Sequence, residues 1–269
     1  MQQRILLPIV LLVFVLSSHT FGQVSPISRL ELKRGEVYQV GPENILIVDT
    51  LILHDKATIR FAPDSKGLLG ARIAFVGKDC TITARGADGE NGQRNIAGAN
   101  GENGGSIELD MHFMTLGSLV IDTRGGNGGN GHIGKHGTKP YTSTTSTVVT
   151  DASGKTQTIQ RTDQIGTGSN GELGSPGGSG GNGGDLILTY STDNFVPNFN
   201  HTPRSGEELK SRVIQVLYTA GKHGKMGRDG NSYLGTKEMG TTVIQGRPAS
   251  TTFPPKKDGQ IKIINANTN

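Results

Sequence analysis

Glycine at every third position, held in phase over four separate stretches, is the feature that most restricts what this chain can become. The first tract carries Gly86, Gly89, Gly92, Gly98, Gly101 and Gly104 in one phase, broken only at Asn95. The second carries Gly125, Gly128, Gly131, Gly134 and Gly137 without a gap. The third runs Gly168, Gly171, Gly174, Gly177, Gly180, Gly183, and the fourth Gly221, Gly224, Gly227, Gly230. At the average glycine usage of about 7 per cent, five successive in-phase glycines arise by chance at about two sites in a million, so the phase is a structural signal and not a linker composition.

A period of three matches the polyproline-II helix, which makes no internal hydrogen bonds and must find partners sideways. Collagen is excluded, because it needs glycine at one residue in three and abundant proline, whereas this chain of 269 residues has 41 Gly and 11 Pro. The remaining solution is an intramolecular bundle of glycine helices bonded to one another. Doubled glycines in the second and third tracts (Gly125-Gly126, Gly128-Gly129, Gly177-Gly178, Gly180-Gly181, Gly183-Gly184) leave two bare edges per turn and place those tracts at the centre. Tracts one and four, with mostly one glycine per triplet and charged residues between, are expected outside.

Short alternating or β-branched runs between the tracts predict strands at 44–54, 57–61, 72–76, 79–84, 106–111, 118–123, 185–190, 212–219 and 260–264. Residues 138–165 are Thr-rich and predict an inserted β-hairpin, 144–150 and 156–162 about a turn at 151–155. The one helix candidate is 205–211. Residues 194–205 and 231–259, with their prolines, are expected as loops. The predicted class is all-β: a short parallel β-helix or stacked sheet with polyglycine-II helix bundle excursions and no collagen triple helix.

At the amino terminus, Arg4 precedes a twelve-residue apolar run, Ile5 to Leu16, and Thr20-Phe21-Gly22 precedes Gln23. That pattern predicts a secretory signal peptide, 1–22, followed by a single domain, 23–269. The apolar run is too short for a transmembrane helix. Cys80 is the only cysteine, so no internal disulfide forms, and its place in an alternating run predicts a buried strand residue. With 27 basic and 23 acidic residues, the charge balance argues against a general nucleic-acid binder.

The segment from Gly104-Gly105-Ser106-Ile107-Glu108-Leu109 to Leu116-Gly117-Ser118-Leu119-Val120-Ile121-Asp122, ending in Gly125-Gly126-Asn127-Gly128-Gly129, resembles the glycine-rich parallel β-helix surface proteins of bacteria. The glycine excursions are similar to the polyglycine-helix bundles of phage tail-tip adhesins and of a glycine-rich antifreeze protein. The likeness spans residues 44–264. It implies a secreted or cell-surface structural or adhesive module whose partners are a surface polysaccharide or like chains.

Candidate chemistry follows from three patterns. Gly134-Lys135-His136-Gly137 is echoed by Gly221-Lys222-His223-Gly224, followed by Lys225 and Arg228; stacked tracts would set these six basic residues along one edge as a contact for an acidic glycan. Gly180-Gly181-Asn182-Gly183-Gly184-Asp185-Leu186 fits a calcium-binding β-roll repeat, which makes Asp185 a candidate ligand and calcium the only cofactor in view. His132 and His136 lie four apart, which on a three-per-turn helix does not return to one face. No HExxH, CxxC or Walker pattern is present. A polysaccharide lyase could draw on Asp110, Asp122, Arg124 and Lys135, though no spacing selects them. An ice-binding protein, the other alternative, would need a regular surface of small polar residues such as Ser169, Ser175 and Ser179. The expected function is therefore non-enzymatic binding of a surface polymer, or self-assembly.

Overall fold

The computed structural model describes residues 26–200, 212–236 and 240–268. The candidate signal peptide and the helix candidate at 205–211 lie outside the described residues. Among those described, the regular structure is β-strand apart from one turn of 3-10 helix, Ala266–Thr268.

The strands are β1 (Ile27–Leu32), β2 (Val37–Gln39), β3 (Ile45–Leu53), β4 (Thr58–Arg60), β5 (Gly67–Val76), β6 (Cys80–Thr83), β7 (Ile107–Leu116), β8 (Ser118–Asp122), β9 (Tyr141–Thr150) and β10 (Thr156–Gly166). They continue with β11 (Leu186–Thr192), β12 (Asn198–Asn200), β13 (Val213–Leu217), β14 (Ser232–Thr236), β15 (Gly240–Ile244) and β16 (Ile261–Asn265). From β1 to β8 the chain alternates between two parallel six-stranded sheets. One has the order β1-β3-β5-β7-β11-β16 and the other β12-β13-β8-β6-β4-β2. Their inner faces form one core, in which Phe61, Phe113, Leu51, Ile59, Leu109 and Ile121 are almost fully buried. Cys80 is part of it, and burial pushes its thiol up to about 11, so it behaves as a small apolar residue.

Three glycine-rich excursions leave the second sheet and return to the first. The outbound runs are 84–92, 123–137 and 218–231, and the returning runs 98–105, 168–184 and 246–259. Outbound runs bond to one another in parallel: Gly86, Gly89 and Gly92 donate to the carbonyls of Arg124, Asn127 and Asn130, and Gly125, Gly128, Gly131 and Gly134 to those of Thr219, Lys222, Lys225 and Arg228. Returning runs do the same, Gly98, Gly101 and Gly104 donating to Pro176, Ser179 and Asn182, and Gly183 to Lys257. Antiparallel bonds stitch the two layers together, among them Glu102 N–H to Ala87, Gly126 to Glu102, Gly181 to Gly126 and Gly221 to Gly181. The second outbound and third-tract runs thus have neighbours on most sides.

Register explains why the excursions stay aligned. β6 pairs with β8 at an offset of 39 residues (Thr83 with Asp122), and beyond the strands Asn127 N–H donates to Asp88 Oδ1 and Asn130 N–H to Asn91 Oδ1 at the same offset. β8 pairs with β13 at 95, and Lys222 and Lys225 N–H bond Asn127 and Asn130 Oδ1 at 95. β7 with β11 gives 79, repeated where Ser179 and Asn182 N–H bond Asn100 and Asn103; β11 with β16 gives 75, repeated where Lys257 N–H bonds Asn182. Most glycine amides go to backbone carbonyls, and Gly171, Gly174, Gly180 and many of the intervening amides go to a side-chain acceptor.

Several expectations need correction. Residues 231–259 are not a loop: β14 and β15 form an antiparallel hairpin, and 246–259 is the third returning run. The region 194–205 contains β12, paired to β13. The first tract is folded back on itself at 93–96, where Gln93 and Ile96 bond each other and Asn95 takes a φ of 61°. β5 begins at Gly67, five residues earlier than expected, because Gly67 and Gly70 break the apolar run in sequence while making room for the Phe61 ring and the Ile47 side chain. β1 and β2 were not anticipated.

Candidate functional site

The third excursion forms the outer edge of the outgrowth, and cations gather there. Lys222 and Lys225 are exposed, their main chains fixed by Asn127 and Asn130 as described. Arg228 donates from Nε to the Gly246 carbonyl at 2.9 Å, which ties it to the returning run. That run brings Arg247, Lys256 and Lys257, none of which was foreseen because 231–259 read as a loop. The carboxylates of the same edge are engaged: Asp229 Oδ1 accepts from Gly174 N–H and Asp258 Oδ1 from Ala220 N–H, both at 2.7 Å. The edge therefore carries more cations than carboxylates, and Asp229 and Asp258 are held on backbone amides.

The echoed Gly-Lys-His-Gly motifs do not meet. Lys135 is tied through its main chain to Glu172 of the third tract, its N–H approaching Glu172 Oε2 at 3.4 Å and its carbonyl accepting from Glu172 N–H. That amide, with Arg94 and Lys135 nearby, holds the Glu172 carboxyl below the usual glutamate range. His136 stays in the outbound layer, where Nδ1 accepts from Asn231 N–H at 2.8 Å. His223 turns to the returning side, Nδ1 accepting from Gly180 N–H at 3.2 Å and its ring stacked on Phe253 at 4.9 Å. The six predicted residues thus divide: Lys222, Lys225 and Arg228 share the edge, His136 and His223 accept from backbone amides, and Lys135 is exposed on the second outbound run.

Asp185 precedes β11, and its Oδ1 accepts from Gln260 N–H at 2.8 Å, continuing the ladder of side-chain acceptors. Among the described residues no group of three or more His, Cys, Asp or Glu could hold a metal ion. The lyase candidates are not brought together. Asp122 and Arg124 bond each other at 2.7 and 2.9 Å on the second sheet's side, and Asp110 lies on β7 of the first sheet.

Two open clefts flank Ala62-Pro63 where the outgrowth leaves the sheets. One, of about 780 Å³, is lined by Asp64, Asn100, Glu102, Asn103 and Lys256; the other, of about 540 Å³, by Gln39, Arg60, Arg85 and Asp88. In the second, Arg85 clamps Asp88 with two bonds of 2.9 and 3.0 Å. The Asn127 N–H donating to Asp88, together with Arg85 and Arg124, holds that carboxyl below the usual aspartate range. A carboxylate whose pKa is depressed on folding adds stability above its unfolded value and loses it as pH falls through the folded one. Acid titration below pH 3.8 is expected to loosen the first excursion. Asp88→Asn, which keeps the acceptor oxygen, should remove part of that acid sensitivity, read by amide exchange at 84–92.

No protein-family model, curated protein sequence or solved structure matches the chain. No helix among the described residues is long and apolar enough to cross a membrane.

Proposed function

We propose that this chain is a secreted or cell-surface, non-enzymatic module that binds an acidic polysaccharide along the edge formed by its third excursion. The reading takes the stacked parallel sheets as a short parallel β-helix and the excursions as a polyglycine-II bundle, a rigid mount for side chains at fixed spacing. In such a helix Lys222, Lys225 and Arg228 follow at steps of about 9 Å, three residues at about 3.1 Å each. The single observation that carries the proposal is this row, joined by Arg247 and Lys257, with Asp229 and Asp258 already occupied by amides. A linear polyanion meets a line of positive charge on a backbone that needs no ordering on binding.

The test is salt-dependent retention of the purified protein on a panel of acidic and neutral polysaccharides, with ultraviolet absorbance of unsaturated sugar products followed in the same samples. Retention on acidic polymers that falls with salt, without product, is expected. Neutralising Lys222, Lys225 and Arg228 together to glutamine should weaken binding by about tenfold or more, since partly screened charge contacts are worth up to about 1 kcal/mol each. Unchanged affinity in that variant would sink the proposal, and product formation would replace it with a lyase.

A further inference from the structure

We infer that the chain pairs with a second copy of itself by antiparallel addition of β9 to β9. The hairpin of β9 and β10 forms a two-stranded sheet of its own at the far end of the second excursion, and no other described strand pairs with it. Its base is fixed, Ser169 N–H bonding the Thr138 carbonyl and Gly168 N–H that of Gly235. Beyond the base it is uncovered: Val148 is 63 % exposed and Ile159 52 %. An isolated two-stranded hairpin is marginal in water and gains stability from a further strand.

The edge strands of the two six-stranded sheets are protected in ways that prevent such pairing, and the uncharged β14 and β15 are only five residues long. β2 and β12 are three residues long, β1 carries the Arg29–Glu31 ion pair, and β16 carries Lys262. β9 has none of these devices. It runs for ten residues, YTSTTSTVVT, with no charge and no proline, and Thr and Val are strong strand formers. β10 carries both Arg161 and Asp163, charges of the kind that guard a strand edge, whereas β9 carries none. The choice of β9 follows from that difference. The occupant is a second copy because a two-fold axis across an uncharged strand of Thr, Ser and Val sets like residues against like with no repulsion, giving the order β10-β9-β9-β10.

Sedimentation of the purified protein over a concentration series tests this, with amide hydrogen exchange on the same samples. A concentration-dependent dimer is expected, with protection across 141–150 rising as dimer forms. Thr144→Lys with Val148→Lys places like charges across the new pairing and should weaken dimerisation at least tenfold, whereas Thr158→Lys with Thr162→Lys on β10 should leave it intact. A wild-type monomer at every concentration would overturn the inference. So would a dimer indifferent to the β9 pair, one lost equally with the β10 pair, or exchange at 141–150 that does not change with concentration; this last readout needs no variant to fold.

Discussion

Gly129→Ala is expected to cost more than about 4 kcal/mol, the range reserved for core disruption, and to broaden or abolish cooperative unfolding in denaturant. A methyl built on Gly129 overlaps the carbonyl of Glu90 in the first outbound run. The residue cannot retreat, because its N–H donates to Ala99, its carbonyl accepts from Gly178, and that carbonyl also fills the space where Gly98 and Gly224 lack a side chain. Relieving the overlap separates runs held by several bonds at once, among them Asn130 N–H to Asn91 and Gly92 N–H to Asn130. Gly41→Ala is the matched control. Nothing lies within 4 Å of its added methyl and its φ is not in the left-handed region, so a change within about 1 kcal/mol is expected. Similar stabilities for the two variants would show that the bundle is looser than its backbone contacts imply.

The extent of that packing was legible in the doubled glycines. Gly126 and Gly129 face the first excursion, where a side chain would strike Ala87 and Glu90, and Gly178 and Gly181 face Ala99 and Glu102. Past the end of the first excursion the second glycine of each triplet disappears, replaced by His132, Lys135 and Thr138 on one run and by Ser169, Glu172 and Ser175 on the other. The latter three accept hydrogen bonds from the backbone amides of the former. Doubling thus records where a third neighbour lies, and its loss records where a side chain must supply the missing acceptor.

Other parts were hidden for physical reasons. The third returning run spans 246–259 with glycine only at Gly246 and Gly259, because it lies at the edge and needs a bare backbone only at its two ends. Its prolines then resemble a loop, which concealed Arg247, Lys256 and Lys257. The Gly-Lys-His-Gly echo misled because a residue's face depends on which runs surround it. Lys135 sits in the phase of Gly126 and Gly129, which nearer the sheets face the first outbound run, whereas Lys222 sits on the open side of the last outbound run. The offsets of 39, 79 and 95 residues that set these neighbours are long-range properties with no local signature.

Phe113→Ala should lower stability by about 3–5 kcal/mol, the cost of deleting a buried aromatic side chain, and the melting temperature by about 10 °C or more. Phe113 is fully buried on β7, opposite Ala74 of β5 and Thr192 of β11. The effect should extend beyond the sheets. Each outbound run is the continuation of a strand in the second sheet and each returning run leads into a strand of the first, and the strand offsets persist along the runs. A weakened core therefore releases the ends that hold all three excursions in register, so amide protection at 84–105, 123–137 and 168–184 should fall together with protection in β7 and β11. β1 to β5 carry no excursion between them and keep their own core partners. If protection of the glycine runs survives when the sheets have melted, the outgrowth is a separate folding unit, and the shared offsets only reflect chain connectivity.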